Sequence, residues 1–268
     1  GRALRRTLAA AAFGLAAMAA AALPGAAEAP LPDQEGWNAA RRALATLPGG
    51  PALGLVEIGP AEGRPVVLLH GYTDNSRSWS LLAPHLGGRR LIAVDLRGHG
   101  ISEAPACCYG VDTLAFDVAA LLDGMGIADA DLVGHSLGAM TAAVLAAGRP
   151  DLVHRLVLVS AALRVPEPSL DWLWEHVPAL PDPIDPDSAF MRDWYWNPNP
   201  VDEDFLDRER AESAATPRHV WTGVLTGLSL LDWGPLAPRI AAPTLVIWGD
   251  QDGLFDAPTQ EALREALP

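Results

Sequence analysis

Five short runs of apolar residues are distributed along the chain. A continuous apolar run of this length is typical of a strand that is buried on both faces, as the strands of a parallel sheet are. We therefore predict buried strands at residues 65–70, 91–95, 131–133, 155–160 and 244–248. A weaker alternation at residues 53–58 favours an edge strand.

Helical patterns separate these strands. Residues 113–126 carry apolar side chains at helical spacing and end on glycine, and an alanine-rich helical pattern follows Gly138. A short amphipathic helix is expected at residues 37–47. Strands that alternate with helices in this way predict right-handed βαβ units on a mostly parallel sheet, so the fold class is α/β.

Residues 164–235 interrupt the alternation. This stretch has no buried-strand pattern, is rich in proline, and holds six of the nine tryptophans. It also carries fourteen acidic residues against five arginines. An insertion between two strands of an open α/β sheet lies near the carboxyl ends of the strands, where ligands bind. We predict a helical cap at 164–235 and a split core formed by 30–163 and 236–268.

Residues 1–29 have the pattern of a secretory signal peptide. Arg2, Arg5 and Arg6 precede an apolar stretch, and Ala27-Glu28-Ala29 supplies a small-x-small cleavage site. The stretch is short and weakly apolar for a membrane anchor, so export by the general or the twin-arginine route is expected. The mature protein is then secreted or periplasmic, with no stable membrane anchor.

The charge balance narrows the range of partners. The formal net charge of −14 disfavours nucleic acid and anionic membrane surfaces as partners. Cys107 and Cys108 are adjacent, which leaves three states open: two thiols, a vicinal disulfide, or a bond between molecules. Two cysteines have no metal-site spacing, and no chemistry is assigned to them.

The strongest chemical signal is Gly134-His135-Ser136-Leu137-Gly138, which lies between a predicted strand and a predicted helix. This is the context of a nucleophile elbow, in which the serine occupies a strained turn at the carboxyl end of the sheet. Such a short motif also occurs in ordinary turns, but the strand and the helix favour the catalytic interpretation. We predict that Ser136 is the nucleophile and that the Leu137 N–H is an oxyanion donor.

A second motif, His70-Gly71-Tyr72, directly follows another buried strand. The glycine allows the backbone to turn sharply, which would leave the Tyr72 N–H facing the elbow. We predict this group as the second oxyanion donor. An ordinary strand–loop turn is the alternative, and the neighbouring elbow makes it less favoured.

With these motifs, the chain resembles the α/β-hydrolase superfamily, specifically its capped serine-hydrolase branch. The resemblance covers residue 53 onwards and also includes the stretches 95–102 and 248–252. It implies that Asp252 is the triad acid, with Asp250 and Asp256 as alternatives. It also implies that His99 is structural and that His135 packs or forms hydrogen bonds rather than acting as a base.

The order of the triad departs from this family. The family order is serine, acid, histidine, yet none of the seven histidines follows Asp252. We therefore expect a fragment of a longer protein, with its general base, last strand and last helix beyond residue 268 and with little activity of its own. A complete chain without the histidine would instead favour a non-catalytic, hydrolase-like binding module.

The sequence thus predicts a hydrolase of carboxylic esters or lactones that forms an acyl-enzyme on Ser136. It implies no cofactor or metal, and a small apolar ester-like substrate as partner. Hydrolases of carbon–carbon bonds and cofactor-free haloperoxidases or perhydrolases of the same fold are alternatives, whereas serine at the elbow disfavours epoxide hydrolases and dehalogenases. Substrate identity and oligomeric state stay open.

Overall fold

The computed structural model describes residues 31–45 and 49–268. The predicted signal peptide therefore lies outside the described residues. The strands of the described sheet are β1 (Arg42–Ala45), β2 (Ala52–Ile58), β3 (Val66–Leu69), β4 (Leu91–Val94), β5 (Ala130–His135), β6 (Val153–Val159) and β7 (Thr244–Ile247). The α-helices are α1 (Trp37–Ala40), α2 (Val111–Gly124), α3 (Leu137–Gly148), α4 (Glu167–His176), α5 (Ala189–Trp194), α6 (Glu203–Ala214), α7 (Arg218–Leu230) and α8 (Ala257–Ala266).

The strands form a single sheet in the order β1-β2-β4-β3-β5-β6-β7. From β4 to β7 every neighbouring pair is parallel, and β2 joins β4 antiparallel. A strand is present at each of the five predicted positions, but β7 is exposed at Leu245 and Ile247 rather than buried on both faces. The prediction of a mostly parallel α/β sheet flanked by helices is confirmed.

The register brings the two sequence motifs together. In the β3–β5 pair, Leu69 lies opposite Gly134. Both strands run in the same direction, so the turns that follow them leave the sheet at the same edge. The segments that begin at His70 and Ser136 are therefore neighbours in space.

Two predictions at the amino-terminal end are wrong. The helix expected at 37–47 ends at Ala40, and residues 42–45 instead pair antiparallel with β2. Consequently 53–58 is not an edge strand, because β2 has β1 on one side and β4 on the other. The apolar positions of 37–47 suit a helix or a strand, and pairing with β2 decides between them.

The segment 164–235 leaves the sheet after β6 and returns at β7. It holds α4, α5, α6 and α7 and no strand, in agreement with its sequence pattern. That it forms a separate cap domain stays a prediction. We call it the helical segment below.

β7 lies at one side of the described sheet, and Leu245 and Ile247 on it are 56% and 46% exposed. The expectation of a further strand and helix stays a prediction. In the loop between β4 and α2, a disulfide joins Cys107 to Cys108, which selects one of the three states left open by the sequence. Among the described residues, no helix is long and apolar enough to cross a membrane.

Candidate active site

Ser136 lies in the sharp turn between β5 and α3, with φ 50° and ψ −115°. Non-glycine residues rarely adopt a positive φ, and such strain is concentrated at functional sites. The flanking glycines make the turn possible. A Cβ on Gly134 would lie 2.3 Å from the Gly138 carbonyl oxygen, and one on Gly138 would lie 2.1 Å from the Leu69 carbonyl oxygen.

Two backbone N–H groups near this turn are available to a ligand. Leu137 is the first residue of α3, so its N–H has no partner within the helix. The Tyr72 N–H donates to no other described residue. Both groups are free to donate to an oxyanion, and their assignment to that role stays a prediction.

Two buried histidines support the turn after β3. His70 donates from Nδ1 to the Gly71 carbonyl oxygen at 2.7 Å and accepts the Leu96 N–H at Nε2 at 2.9 Å. His99 is bonded in the same manner, to the Arg97 carbonyl oxygen at 2.9 Å and the Thr73 N–H at 3.2 Å. Both nitrogens of each ring are therefore engaged, which suits a structural role.

Asp252 lies in the loop after β7. Its Oδ1 accepts the N–H groups of Leu254 and Phe255 at 2.9 and 3.1 Å. These bonds fix the carboxylate and leave Oδ2 without a bond to any described residue. Asp256 instead caps α8 by accepting the Thr259 N–H at 3.0 Å, which gives it a structural role. Asp252 and Asp250 both line the cavity described next, whereas Asp256 does not.

A cavity of about 1010 Å³ lies where the carboxyl ends of the strands meet the helical segment. Ser136, Tyr72 and Asp252 line it on the side of the sheet. Apolar and aromatic side chains of the helical segment line the other side, among them Trp172, Leu173, Trp194, Trp196, Phe205 and Leu206. Most of the cavity wall is therefore apolar, as in sites for small organic ligands.

Three aromatic rings of the helical segment form a triangular cluster with nearly parallel ring planes, in which Trp172 and Trp194 are 6.3 Å apart. The Phe190 ring lies 5.8 Å from that of Trp172 and 5.9 Å from that of Trp194, with interplanar angles of 12° and 11°. Trp172 and Trp194 also line the cavity. The cluster gives this wall of the cavity a large apolar surface.

Sequence reasoning missed a polar group in the same cavity. Asp74 accepts the Tyr195 hydroxyl at 2.7 Å, and one of its oxygens lies 3.8 Å from His135 Nδ1. Burial raises the pKa of the Asp74 carboxyl, while His135 and Tyr195 act in the opposite direction. The sequence signal that could have identified Asp74 is its position just after the motif at His70. No local sequence pattern marks Tyr195.

His135 is only partly buried. Its side chain is 43% exposed and lines the cavity beside Ser136. The ring occupies the space beside Gly71, where an added Cβ would lie 2.8 Å from Nδ1. His135 therefore contributes a polar edge to the cavity.

No described histidine is hydrogen-bonded to the Ser136 hydroxyl. His70 and His99 are engaged as above, His176 stacks on Trp172, and His219 contacts the carbonyl oxygens of Ala104 and Pro105. The structure places Ser136, Tyr72 and Asp252 on one cavity, and Leu137 directly follows Ser136 at the start of α3. It does not assign the base to a described residue.

Comparison with known proteins identifies the family. A family model for the alpha/beta hydrolase fold matches residues 64–268. The chain is 35% identical over 188 residues to lipase LipV of Mycobacterium tuberculosis, covering 69% of this chain and 71% of the relative. It is 36% identical over 205 residues to a 2-(acetamidomethylene)succinate hydrolase of Mesorhizobium japonicum, covering 72% of each.

Among solved structures, the enol-lactonase of Burkholderia xenovorans superposes with a TM-score of 0.69 at 26% identity. The superposition covers 83% of this chain and 87% of the lactonase. The family predicted from the sequence motifs is confirmed. The chain belongs to the α/β-hydrolase superfamily and groups with its serine-hydrolase branch.

Proposed function

We propose that the protein hydrolyses carboxylic esters or lactones, with Ser136 as the nucleophile. The observation that carries the proposal is the strained elbow at Ser136, which opens into an apolar cavity beside two N–H groups that no described residue uses. The relatives named as a lipase and an enol-lactonase support the ester and lactone classes. We further propose that the helical segment acts as a cap over the cavity and that the protein is exported.

In the proposed reaction, Ser136 Oγ attacks the carbonyl carbon and gives its proton to a general base. The negative charge that develops on the carbonyl oxygen is stabilised by the N–H groups of Tyr72 and Leu137. The tetrahedral intermediate then collapses: the bond from the carbonyl carbon to the alcohol oxygen breaks, the alcohol takes the proton from the base, and an acyl-enzyme remains. When the substrate is a lactone, the alcohol is part of the same molecule and stays attached to the enzyme through the acyl group. Water then hydrolyses this ester and restores the serine.

Asp252 would orient a histidine base and stabilise it when protonated. The two backbone bonds to Oδ1 hold the carboxylate for this task, and Oδ2 is left to accept from the imidazole. No described residue is assigned as that histidine. Activity should therefore be measured on the protein expressed from its complete gene.

Ser136→Ala tests the nucleophile. Because the serine hydroxyl forms the covalent intermediate, we expect the variant to lose short-chain aryl ester hydrolysis by roughly 10⁴-fold or more. It should also lose labelling by a fluorophosphonate. Trypsin cuts this lysine-free chain after arginine but not at the Arg149–Pro150 bond, so the label should appear on peptide 98–155 of the wild type, and fragmentation should locate it at Ser136.

Ser160→Ala is the matched control for labelling. Ser160 also lines the cavity and also has a positive φ, 49°. It lies after β6 rather than at the elbow, and we expect that variant to keep the label on Ser136. Labelling that survives Ser136→Ala would place the nucleophile elsewhere and contradict the proposal.

A further inference from the structure

Residues 72–78, which begin with the predicted oxyanion donor Tyr72, are bound along their length to the helical segment. We call these residues the oxyanion loop. Six of its seven side chains hydrogen-bond to residues of α6, α7 or the end of α5. The pairs are Tyr72 with the Trp221 carbonyl, Thr73 with Trp194 and Ser213, Asp74 with Tyr195, Asn75 and Arg77 with Glu212, and Ser78 with Glu209.

The bonds nearest the predicted donor are those of Thr73 and Asp74. Thr73 Oγ1 accepts the Trp194 indole N–H at 3.0 Å and the Ser213 hydroxyl at 2.9 Å. Asp74 accepts the Tyr195 hydroxyl at 2.7 Å. These three donors all come from the helical segment, more than a hundred residues away in sequence.

The backbone at this point needs such support. Thr73 has φ 65°, a conformation that is costly for a β-branched residue. The Asp74 N–H bonds to the Gly71 carbonyl oxygen at 3.2 Å and closes a four-residue turn with Tyr72 and Thr73 at its centre. If the side chains of Thr73 and Asp74 were released, this turn could relax, and the Tyr72 N–H would change direction with it.

The rest of the oxyanion loop can hold the helical segment without these three donors. Arg77 and Glu212 form an ion pair at 2.6 Å, with the Arg77 side chain only 1% exposed. Arg41 bonds to the same carboxylate at 3.1 Å. Removal of a single donor at Thr73 or Asp74 should therefore leave the segment in place, so that the effect on the turn can be measured by itself.

We propose that Trp194, Tyr195 and Ser213 are positioning residues that hold the Gly71–Asp74 turn so that the Tyr72 N–H faces the developing oxyanion. The inference rests on the proposed function. It adds that the helical segment determines the rate of the chemical step as well as the shape of the cavity. Such donors contribute to catalysis only when they are preorganised, and small misplacements of a catalytic group are costly.

The test uses Trp194→Phe and Tyr195→Phe, which remove one hydrogen-bond donor each and keep an aromatic ring. We expect kcat for an aryl ester to fall by about tenfold in each variant, because one hydrogen bond that fixes the turn is lost. KM should change by less than about twofold, since a bond realised in the transition state affects kcat and kcat/KM equally. Affinity for a trifluoromethyl ketone, which forms a tetrahedral adduct, should fall in parallel with kcat.

The control is Trp174→Phe. Trp174 also belongs to the helical segment and also donates its indole N–H to a serine, Ser229, at 2.9 Å. That bond joins α4 to α7 and does not reach the oxyanion loop. We expect this variant to keep the wild-type kcat and ketone affinity.

A double-mutant cycle makes the test specific to Thr73. Thr73→Val keeps the β-branched shape but removes the oxygen that Trp194 contacts. In the Thr73→Val background, Trp194→Phe should have no further effect on kcat. Fully additive losses, an unchanged kcat in both single variants, or a rise in KM alone would each overturn the inference.

Failure of the proposed function is distinguishable from failure of this inference. Absence of ester hydrolysis and of Ser136 labelling in the wild-type protein would reject the function. Wild-type activity and labelling together with unchanged variants would reject only the positioning role. Circular dichroism and the unfolding midpoint of each variant show that the fold is retained.

Discussion

His70 and His99 illustrate how single residues carry a pH dependence. Burial lowers the pKa of His70 well below its ordinary value and lowers the pKa of His99 to about 4. In each ring one nitrogen accepts a backbone N–H, so a proton there would break a buried hydrogen bond. Both rings are therefore neutral in the folded protein near pH 7.

This has a testable effect on stability. Because the pKa of His99 is lower in the folded state than the ordinary 6.5, the unfolded chain takes up the proton first as pH falls from 6.5 towards 4. The free energy of unfolding decreases over that range. Between pH 7 and pH 5, we expect wild type to lose about 2 kcal/mol more than His99→Gln, which cannot take up the proton.

Denaturant unfolding of both proteins at several pH values measures this difference. Asp95 lies beside His99, and Asp74 and Glu209 titrate with raised pKa values, but these acids are present in both proteins and largely cancel in the comparison. Parallel stability curves for wild type and His99→Gln would show that His99 does not titrate differently in the folded state.

At the level of single residues, the sequence identifies candidate site residues only where neighbouring positions in the chain form a motif with them. Ser136 and Tyr72 are recognisable because glycines and a preceding strand accompany them. The bond between Tyr195 and Asp74 spans 121 positions, and no local pattern encodes it. Such pairs become visible only when the helical segment is placed on the sheet.

At the level of elements, the crossing of α3 over β3 sets the shape of the elbow. The would-be Cβ of Gly138 lies 2.1 Å from the Leu69 carbonyl oxygen, which is part of the sheet and cannot move aside. Gly138→Ala should therefore destabilise the protein by about 3 kcal/mol or more, at the upper end of overpacking effects. Thermal or denaturant unfolding measures the loss.

Gly148→Ala is the matched control at the other end of α3. No atom lies within 4 Å of the position of its added Cβ. Since alanine has a higher helix propensity than glycine, we expect the free energy of unfolding to be unchanged or to rise by up to about 1 kcal/mol. Equal destabilisation by both substitutions would mean that the contact with Leu69 is not what excludes a side chain at Gly138.

The elements themselves were predictable to different degrees. β3 and β4 are buried along their whole length, and all the parallel strands carry short apolar runs that mark them clearly. β1 has no such run, and its apolar positions fit a helix equally well. The pattern at 37–47 therefore predicted a helix where residues 42–45 form a strand. Pairing with β2 is a tertiary contact that outweighs local preference.

The whole molecule carries a charge asymmetry that reaches the proposed site. Asp74, Asp193, Asp250 and Asp252 line the cavity, and no arginine of the described residues does. The chain has no lysine, and its net charge is −14. An anionic substrate would enter against this field, whereas a neutral ester would not.

We expect the p-nitrophenyl monoester of a dicarboxylic acid to be hydrolysed at least about tenfold more slowly, in kcat/KM, than its neutral methyl ester at low ionic strength. Salt should reduce this difference in kcat/KM between the two esters, because screening shortens the range of the electrostatic field. Asp193→Asn should also reduce the difference, because it removes a negative charge from the cavity wall. Equal kcat/KM for the two esters, at low and high salt, would refute this prediction.

At this scale, composition predicted the acidic character of the helical segment, and topology predicted that it would lie near the ends of the strands. The individual contacts of residues 194–221 with the oxyanion loop were not predictable, because they depend on how four helices pack together. The export signal lies outside the described residues, and no described residue is assigned as the base, so both stay predictions.

The bonds of the oxyanion loop also have a consequence for motion. Since six side chains of the loop are bound to α5, α6 and α7, that part of the helical segment cannot swing away without disrupting them. Exchange of amide hydrogens in the loop and in α6 should then require a common opening event. Ligand traffic would pass instead on the side of α4, where one hydrogen bond between described residues, from the Ser169 hydroxyl to the Leu254 carbonyl oxygen, joins the helix to the loop after β7.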